Sequence, residues 1–311
     1  MAGAPAVLSV FRVWIASAQR FSLQRGGLVM VGIAALAGIG GLGWVARDVT
    51  AGAGEGQRPS LLQLLENVNG REKAPAVEPP LRAAPLPPKS HRPWLSPMGR
   101  RCTTPNPGEN LRLTQMLAGL QTSMRRLRID PTNFGVRYDR DAFGNPIDPT
   151  PQMVVLHETV FGMESAVQTF QTPHPRDEDQ VSYHVMIGLD GEVVEALEPT
   201  RRAFGAGNSA FNGQWVVTNP DVGGSVNNFA LHLSLETPID GEDNDPSHSG
   251  YSPAQYDATA VVLTDWMRRF DFPASHITTH AYVDLGGERA DPRSFDWAAL
   301  ESRLAALGML C

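Results

Sequence analysis

His157, His280 and Asp291 lie far apart in the chain but are of the types that hold a catalytic divalent metal. A catalytic zinc site typically takes three N, O or S ligands and keeps one position open for water. Water held in that way ionises near neutral pH and can attack a carbonyl. His157 ends the valine-rich run MVVLH, where a strand-end side chain can leave the core for a pocket. His280 follows ASHITT, a second short β-like run that leads into a loop. Asp291 comes 11 residues after His280, across Gly286 and Gly287, and Pro292 restricts it to extended backbone. No helical spacing links the three residues, so only the fold can bring them together. Taken singly, each suits a packing or hydrogen-bonding role at least as well.

The other histidines give less. Glu158 follows His157, but Phe161 stands where an H-E-x-x-H helix needs its second histidine, which excludes that metalloprotease arrangement. His174, His232, His248 and His276 have no partner at metal spacing, and His184 alternates to the face opposite Tyr183 if both lie on a strand.

The elements that must position these groups are legible from residue 109 onward. Leu113, Met116, Leu117, Leu120, Met124 and Leu127 recur at helical spacing. MVVLH at 153–157 reads as a buried strand. YHVMIGLDGEVVEAL at 183–197 reads as two strands joined at Asp190-Gly191, a pair that favours a tight hairpin. In FALHLSLE, residues 229–236, strict alternation places Ala230, His232, Ser234 and Glu236 on one face. Ser252-Pro253-Ala254-Gln255 combines a capping box with proline at the first helical position. Tyr256, Ala260, Leu263, Met267 and Phe270 then make an apolar stripe. A last helix starts around Ser294–Asp296 and runs to Gly308, a suitable C-cap. The expected class is α/β: a mixed central β-sheet flanked by helices, in a body at 109–311 long enough to bury a core.

Charge and hydropathy divide the rest. Residues 1–47 hold Arg12, Arg20, Arg25 and Arg47 and no acid, whereas the whole chain of 311 residues carries a formal charge of −7. The acidic body argues against a nucleic-acid partner, which would need clustered Lys and Arg on phosphates. Residues 26–46, GGLVMVGIAALAGIGGLGWVA, hold no charge, and about 20 residues suffice to cross a bilayer core of about 30 Å. A signal peptide is the rival reading, but its apolar region is usually about 7–15 residues long, and Arg47-Asp48 follows this run at once. The reading is therefore a cytoplasmic segment at 1–25 and a transmembrane anchor at 26–46, with the body outside the cytoplasm, in the periplasm or cell wall. SLLQLLENV at 60–68 reads as a short amphipathic helix, and the linker at 47–108 is proline-rich and extended from residue 73. The only two cysteines, Cys102 and Cys311, would sit in a disulfide-permitting compartment. An internal bridge would contribute up to about 4–5 kcal/mol; two free thiols or a bridge to a second chain are the alternatives.

VVLHET, SYHVMIGLDGEVVEAL, RRAFGAGNS, NNFALHLSLE, YSPAQYDA and ITTHAYVDLGGERADPRSFDW occur in that order. This ordered set resembles the zinc-dependent N-acetylmuramoyl-L-alanine amidases, the superfamily shared with peptidoglycan recognition proteins, over about residues 150–300. The resemblance implies that His157, His280 and Asp291 match the family's zinc ligands. It places Arg289 where the family usually has lysine, as a cation for an oxyanion, and Tyr183 where some members keep a tyrosine beside the metal. Two departures accompany it. Gly205 stands where relatives often carry the histidine of a Trp-His-Ala-Gly loop. Ser234 aligns with a glutamate of intracellular relatives, which leaves Glu236, two positions on, as the candidate general base. Arg293 and Asn208 are candidate substrate readers or ordinary loop residues. The implied activity is hydrolysis of the amide between N-acetylmuramic acid and L-alanine in peptidoglycan, with Zn2+ as cofactor. A non-catalytic peptidoglycan-binding module and a zinc peptidase on stem peptides are the other readings.

Overall fold

The computed structural model describes residues 83–88, 93–99 and 106–310. The expected membrane span at 26–46, the short helix at 60–68, Cys102 and Cys311 all lie outside the described residues. Among the described residues no helix is long and apolar enough to cross a membrane.

The chain enters the body through helix α1, Pro107–Ser123, which Asn106 caps by accepting from the amides of Gly108 and Glu109. Strands β1 (Arg125–Arg126), β2 (Phe134–Val136) and β3 (Met153–Glu158) follow, then helix α2 (Met163–Gln171). A run of short strands comes next: β4 (Val185–Ile187), β5 (Val193–Glu195), β6 (Arg201–Ala203), β7 (Val216–Asn219), β8 (Gly223–Ser225) and β9 (Ala230–Leu235). Helix α3 (Pro253–Phe270), strand β10 (Ile277–Thr279), the single turn α4 (His280–Val283) and helix α5 (Trp297–Ala306) complete the order.

Six strands form one mixed sheet in the order β1-β5-β4-β9-β3-β10. All its pairings are parallel except the β4–β5 hairpin. The hairpin turns at Asp190-Gly191 as its sequence requires. Gly191 has φ +85, and a Cβ there would stand 2.8 Å from the Ala254 carbonyl oxygen, so only glycine fits.

Every residue of β3 and β9 is buried, as expected of parallel strands covered on both faces. On one face Val154, Leu156, Leu231, Leu233 and Leu235 pack with Leu113, Leu263, Leu300 and Leu304 from α1, α3 and α5. Burying each such side chain is worth roughly 1.5–3 kcal/mol. On the other face Met153, Val155 and Ala230 meet Phe211, Val226 and Phe229, while Met186 meets Val167 and Phe170. Strand alternation assigns His157, His232 and Ser234 to this second face, away from α1, α3 and α5.

The capping box of α3 forms as the sequence indicates: Gln255 donates its amide to Ser252 Oγ and returns its side chain to the Ser252 amide. Part of the proline-rich stretch lies against the body instead of standing free. Trp94 donates to the Ser275 carbonyl at 3.0 Å and sets its ring 4.6 Å from Tyr282, and Met98 is buried. Large apolar side chains within that stretch give it something to bury, which proline content alone does not reveal.

Candidate metal centre

Two neighbouring strand ends create the site. In the parallel β3–β10 pair, Thr278 stands opposite Val155 and Thr279 opposite Leu156. The next residue on each strand is His280 and His157, so register alone delivers two imidazoles side by side. Asp291 returns to them through a loop that Asp284 organises. The Asp284 carboxylate accepts from the amides of Gly286, Glu288 and Arg289 at 3.0, 2.6 and 2.9 Å. The Ala281 amide then donates to the Asp291 carbonyl at 3.0 Å, closing the loop onto the first turn of α4.

The side chains converge. His157 Nδ1 lies 3.2 Å and His280 Nδ1 3.1 Å from the Asp291 carboxylate. One donor atom from each of the three residues falls within 4.8 Å of the others. Burial pushes the His157 imidazole down to about 4, so it is neutral and holds a free lone pair at pH 7. Burial works to raise the Asp291 carboxyl, but hydrogen bonds from His157 and His280 win and hold it well below the usual carboxylate range. Two imidazoles and one ionised carboxylate are a donor set able to hold a divalent metal.

Tyr183 stacks on His157 with ring centroids 4.4 Å apart and packs edge-on against Phe170. Burial, then the Asp291 charge, raises its phenol above its ordinary value, so it stays protonated and can donate. Arg289 lies near enough for its charge to act on both His157 and Tyr183. Its guanidinium makes no hydrogen bond or ion pair among the described residues and extends from an exposed position.

Glu236 is held elsewhere. Its Oε1 accepts from the Met163 amide at 2.7 Å and its Oε2 from the Leu189 amide at 3.0 Å. It thereby caps α2, whose N-cap Gly162 has no side chain to do so. Both oxygens are thereby committed to backbone amides. Ser234 is buried, and its hydroxyl has no hydrogen-bond partner among the described residues.

Two features escape a reading of the sequence. His232 has no partner at metal spacing, yet its Nδ1 lies 3.0 Å from His157 Nε2 across the sheet. His184 stacks parallel to His232, accepts from the His232 amide at 3.0 Å, and meets the Arg201 carbonyl at 3.1 Å through Nε2. The alternation of FALHLSLE was the available signal; what it lacked was the register of β9 on β3, which sets His232 opposite Val155. Arg293, a candidate substrate reader, is instead buried against Glu158. Glu158 also accepts from the Arg293 amide at 2.9 Å and Tyr251 Oη at 2.6 Å, and lies 3.2 Å from His248 Nε2.

The part of the chain that carries this constellation is similar to known proteins. Residues 147–294 match the profile of Amidase_2, described as N-acetylmuramoyl-L-alanine amidase. The chain is similar to the 1,6-anhydro-N-acetylmuramyl-L-alanine amidase AmpD of Citrobacter freundii, 32% identical over 120 residues that cover 38% of this chain and 54% of that one. It is likewise 31% identical to AmpD of Enterobacter cloacae over 126 residues, covering 40% of this chain and 57% of the relative. The match thus spans a little over half the length of these curated relatives. Among solved structures, a solution structure of Citrobacter freundii AmpD aligns with a TM-score of 0.39 at 23% identity, covering 59% of this chain and 91% of that one. A crystal structure of an AmpD derivative aligns with a TM-score of 0.44 at 24% identity, covering 58% and 94%. The matched stretch ends at Ser294, so it includes all three donor residues but not helix α5.

Proposed function

We propose that this protein is a zinc hydrolase of peptidoglycan, cleaving the amide between the lactyl group of N-acetylmuramic acid and L-alanine. The observation that carries the reading is the convergence of His157, His280 and Asp291, with donor atoms within 4.8 Å of one another inside the stretch that matches the Amidase_2 model. The geometry fits zinc. Tetrahedral ligands about 2 Å from a shared ion stand roughly 3.3 Å apart, and the two imidazole-to-carboxylate separations here are 3.2 and 3.1 Å. When bound there, zinc would supply Lewis-acid activation of water and of the scissile carbonyl at neutral pH.

The chain's own groups supply the rest. His157 and His280 both turn Nδ1 toward Asp291, and Asp291 stays ionised across the working range, so the carboxylate loses no proton in taking up a cation. Tyr183, protonated and stacked on His157, is placed to donate a hydrogen bond toward the charge that develops on the carbonyl oxygen. Arg289 brings a permanent cation to the rim of the same site. A guanidinium stabilises an oxyanion but does not readily release a proton, so Arg289 binds and orients and is not the acid that protonates the leaving amine. Glu236, with both oxygens on backbone amides, supports α2 and the hairpin.

The proposal extends to place. The uncharged run at 26–46, flanked by arginines and followed by an acidic body, supports a membrane-tethered enzyme facing the wall or periplasm. The test is digestion of purified peptidoglycan with and without chelator. New L-alanine amino termini appear only with metal if the reading is right. Cleavage between stem-peptide residues, seen by mass spectrometry of the fragments, would make it a peptidase, and unchanged material would reject hydrolysis.

A further inference from the structure

We infer that His232 is a positioning residue for the metal ligand His157, acting through a tautomer relay that runs across the sheet, and that Gly205 exists to make room for it. The inference rests on the metal reading of the His157–His280–Asp291 group, but it concerns a residue outside that group.

The relay follows from counting hydrogens. A neutral imidazole carries one N–H, and a hydrogen bond between two ring nitrogens uses one proton. His157 turns Nδ1 to Asp291 at 3.2 Å and Nε2 to His232 Nδ1 at 3.0 Å. Without metal, the favourable arrangement has His157 Nδ1–H donating to the carboxylate. Its Nε2 then accepts from His232 Nδ1–H. With metal, Nδ1 must present a lone pair, so the proton of His157 moves to Nε2 and is donated to His232 Nδ1. His232 must then carry its own hydrogen on Nε2. The two rings therefore change tautomer together. No net proton is needed beyond the redistribution within the two rings and exchange with solvent.

His232 is prepared for this duty by what surrounds it. It is fully buried on the middle strand β9, and its Nε2 has no hydrogen-bond partner among the described residues, so that nitrogen is free to hold either a lone pair or a hydrogen. Its backbone amide donates to His184 Nδ1, which fixes His184 as the Nε2–H tautomer facing the Arg201 carbonyl. The parallel stack of the two rings, 3° between planes, holds the His232 ring in orientation. On the remaining side the backbone closes in. A Cβ at Gly205 would fall 2.4 Å from His232 Nδ1 and 2.5 Å from its Cγ, so a side chain there would have to displace the ring. The imidazole thus fills the space that a side chain at 205 would use.

The experiment compares wild type with H232L, H232N and G205A, each purified metal-free, and reads zinc affinity by competition with a chromophoric chelator. H232L keeps the volume but strands the His157 Nε2–H, and zinc affinity should fall roughly 10- to 100-fold, the usual effect of removing a ligand's hydrogen-bond partner. H232N presents an oxygen near the place of Nδ1 and should recover most of that loss. G205A, which leaves all three donor residues unchanged and crowds the His232 ring, should weaken binding as H232L does. The 15N spectrum of wild-type histidines supplies a readout that packing alone would not move: zinc should convert His232 from the Nδ1–H to the Nε2–H form. H232L and G205A binding zinc within twofold of wild type, or a His232 tautomer unchanged by zinc, would overturn the inference while leaving the metal reading intact. A wild-type chain that takes up no zinc would overturn the metal reading itself. Melting of each variant in excess chelator separates lost affinity from lost fold.

Discussion

Replacing Arg293 by methionine should destabilise the fold far more than removing a surface cation. Arg293 is 8% exposed and Glu158 is 3% exposed, so their ion pair lies out of water. The guanidinium donates through Nε to Glu158, through Nη1 to the carbonyls of Asp243 and Asp245, and through Nη2 to the carbonyl of Gly241. R293M leaves the Glu158 carboxylate buried without its counter-charge and three carbonyls without that donor. Breaking one side of a buried pair typically costs about 3–5 kcal/mol. For a body of this size each kcal/mol lowers Tm by roughly 2–4 °C, so the variant should melt about 6–20 °C below wild type.

The assay is thermal and urea unfolding of metal-free protein, followed by circular dichroism, for R293M, E158M and the double variant. Each single change strands a partner; the double change removes both charges. The double variant should therefore be less destabilised than the sum of the singles, by about 2 kcal/mol or more. R293M within about 1 kcal/mol of wild type, or strictly additive singles, would refute the reasoning. The pair also bears on function, because Glu158 follows His157 and Arg293 lies two residues after Asp291. It clamps the two chain segments that carry two of the donors, so R293M should weaken zinc binding even where it stays folded.

Other consequences are as direct. Zinc at about 100 times its Kd should stabilise the wild type by about 2.7 kcal/mol, and D291N should lose that increment in a melting experiment. Metal-free protein should lose stability as pH falls from about 6.5 to 4. His157 titrates at about 4 when folded against an ordinary 6.5, so the unfolded chain binds the extra proton throughout that window. The effect from His157 alone is about 3 kcal/mol, and urea midpoints that stay flat from pH 7 to 4 would contradict it. E236Q should cost about 1–2 kcal/mol of stability through the amides of Met163 and Leu189, with little change in kcat. A collapse of kcat in folded E236Q would restore it as general base. G191A should destabilise by more than about 1 kcal/mol, since it meets both a left-handed backbone and the Ala254 carbonyl.

What the sequence made legible was whatever a short window encodes. The Asp190-Gly191 turn, the Ser252–Gln255 capping box, and the buried runs at 153–157 and 230–235 are each decided by neighbours within a few residues, and each forms. The α/β class follows from their order. What was not legible depends on register between strands distant in sequence. The approach of His280 to His157 is a property of β10 lying parallel to β3 with Thr279 opposite Leu156, and nothing near either histidine states it. Resemblance supplied that pairing where spacing could not. The same missing register hid His232, whose face was read correctly but whose neighbour was not. Glu236 shows a second limit: alternation gives its face, but not that backbone amides of Met163 and Leu189 take both its oxygens. Arg293 shows a third limit. A charged residue in a loop reads as solvent-facing until a buried carboxylate 135 positions away is found to need it. All three cases involve polar groups that the fold can bury only when partnered, so the partners of buried polar residues are the part of this structure that a sequence window conceals most completely.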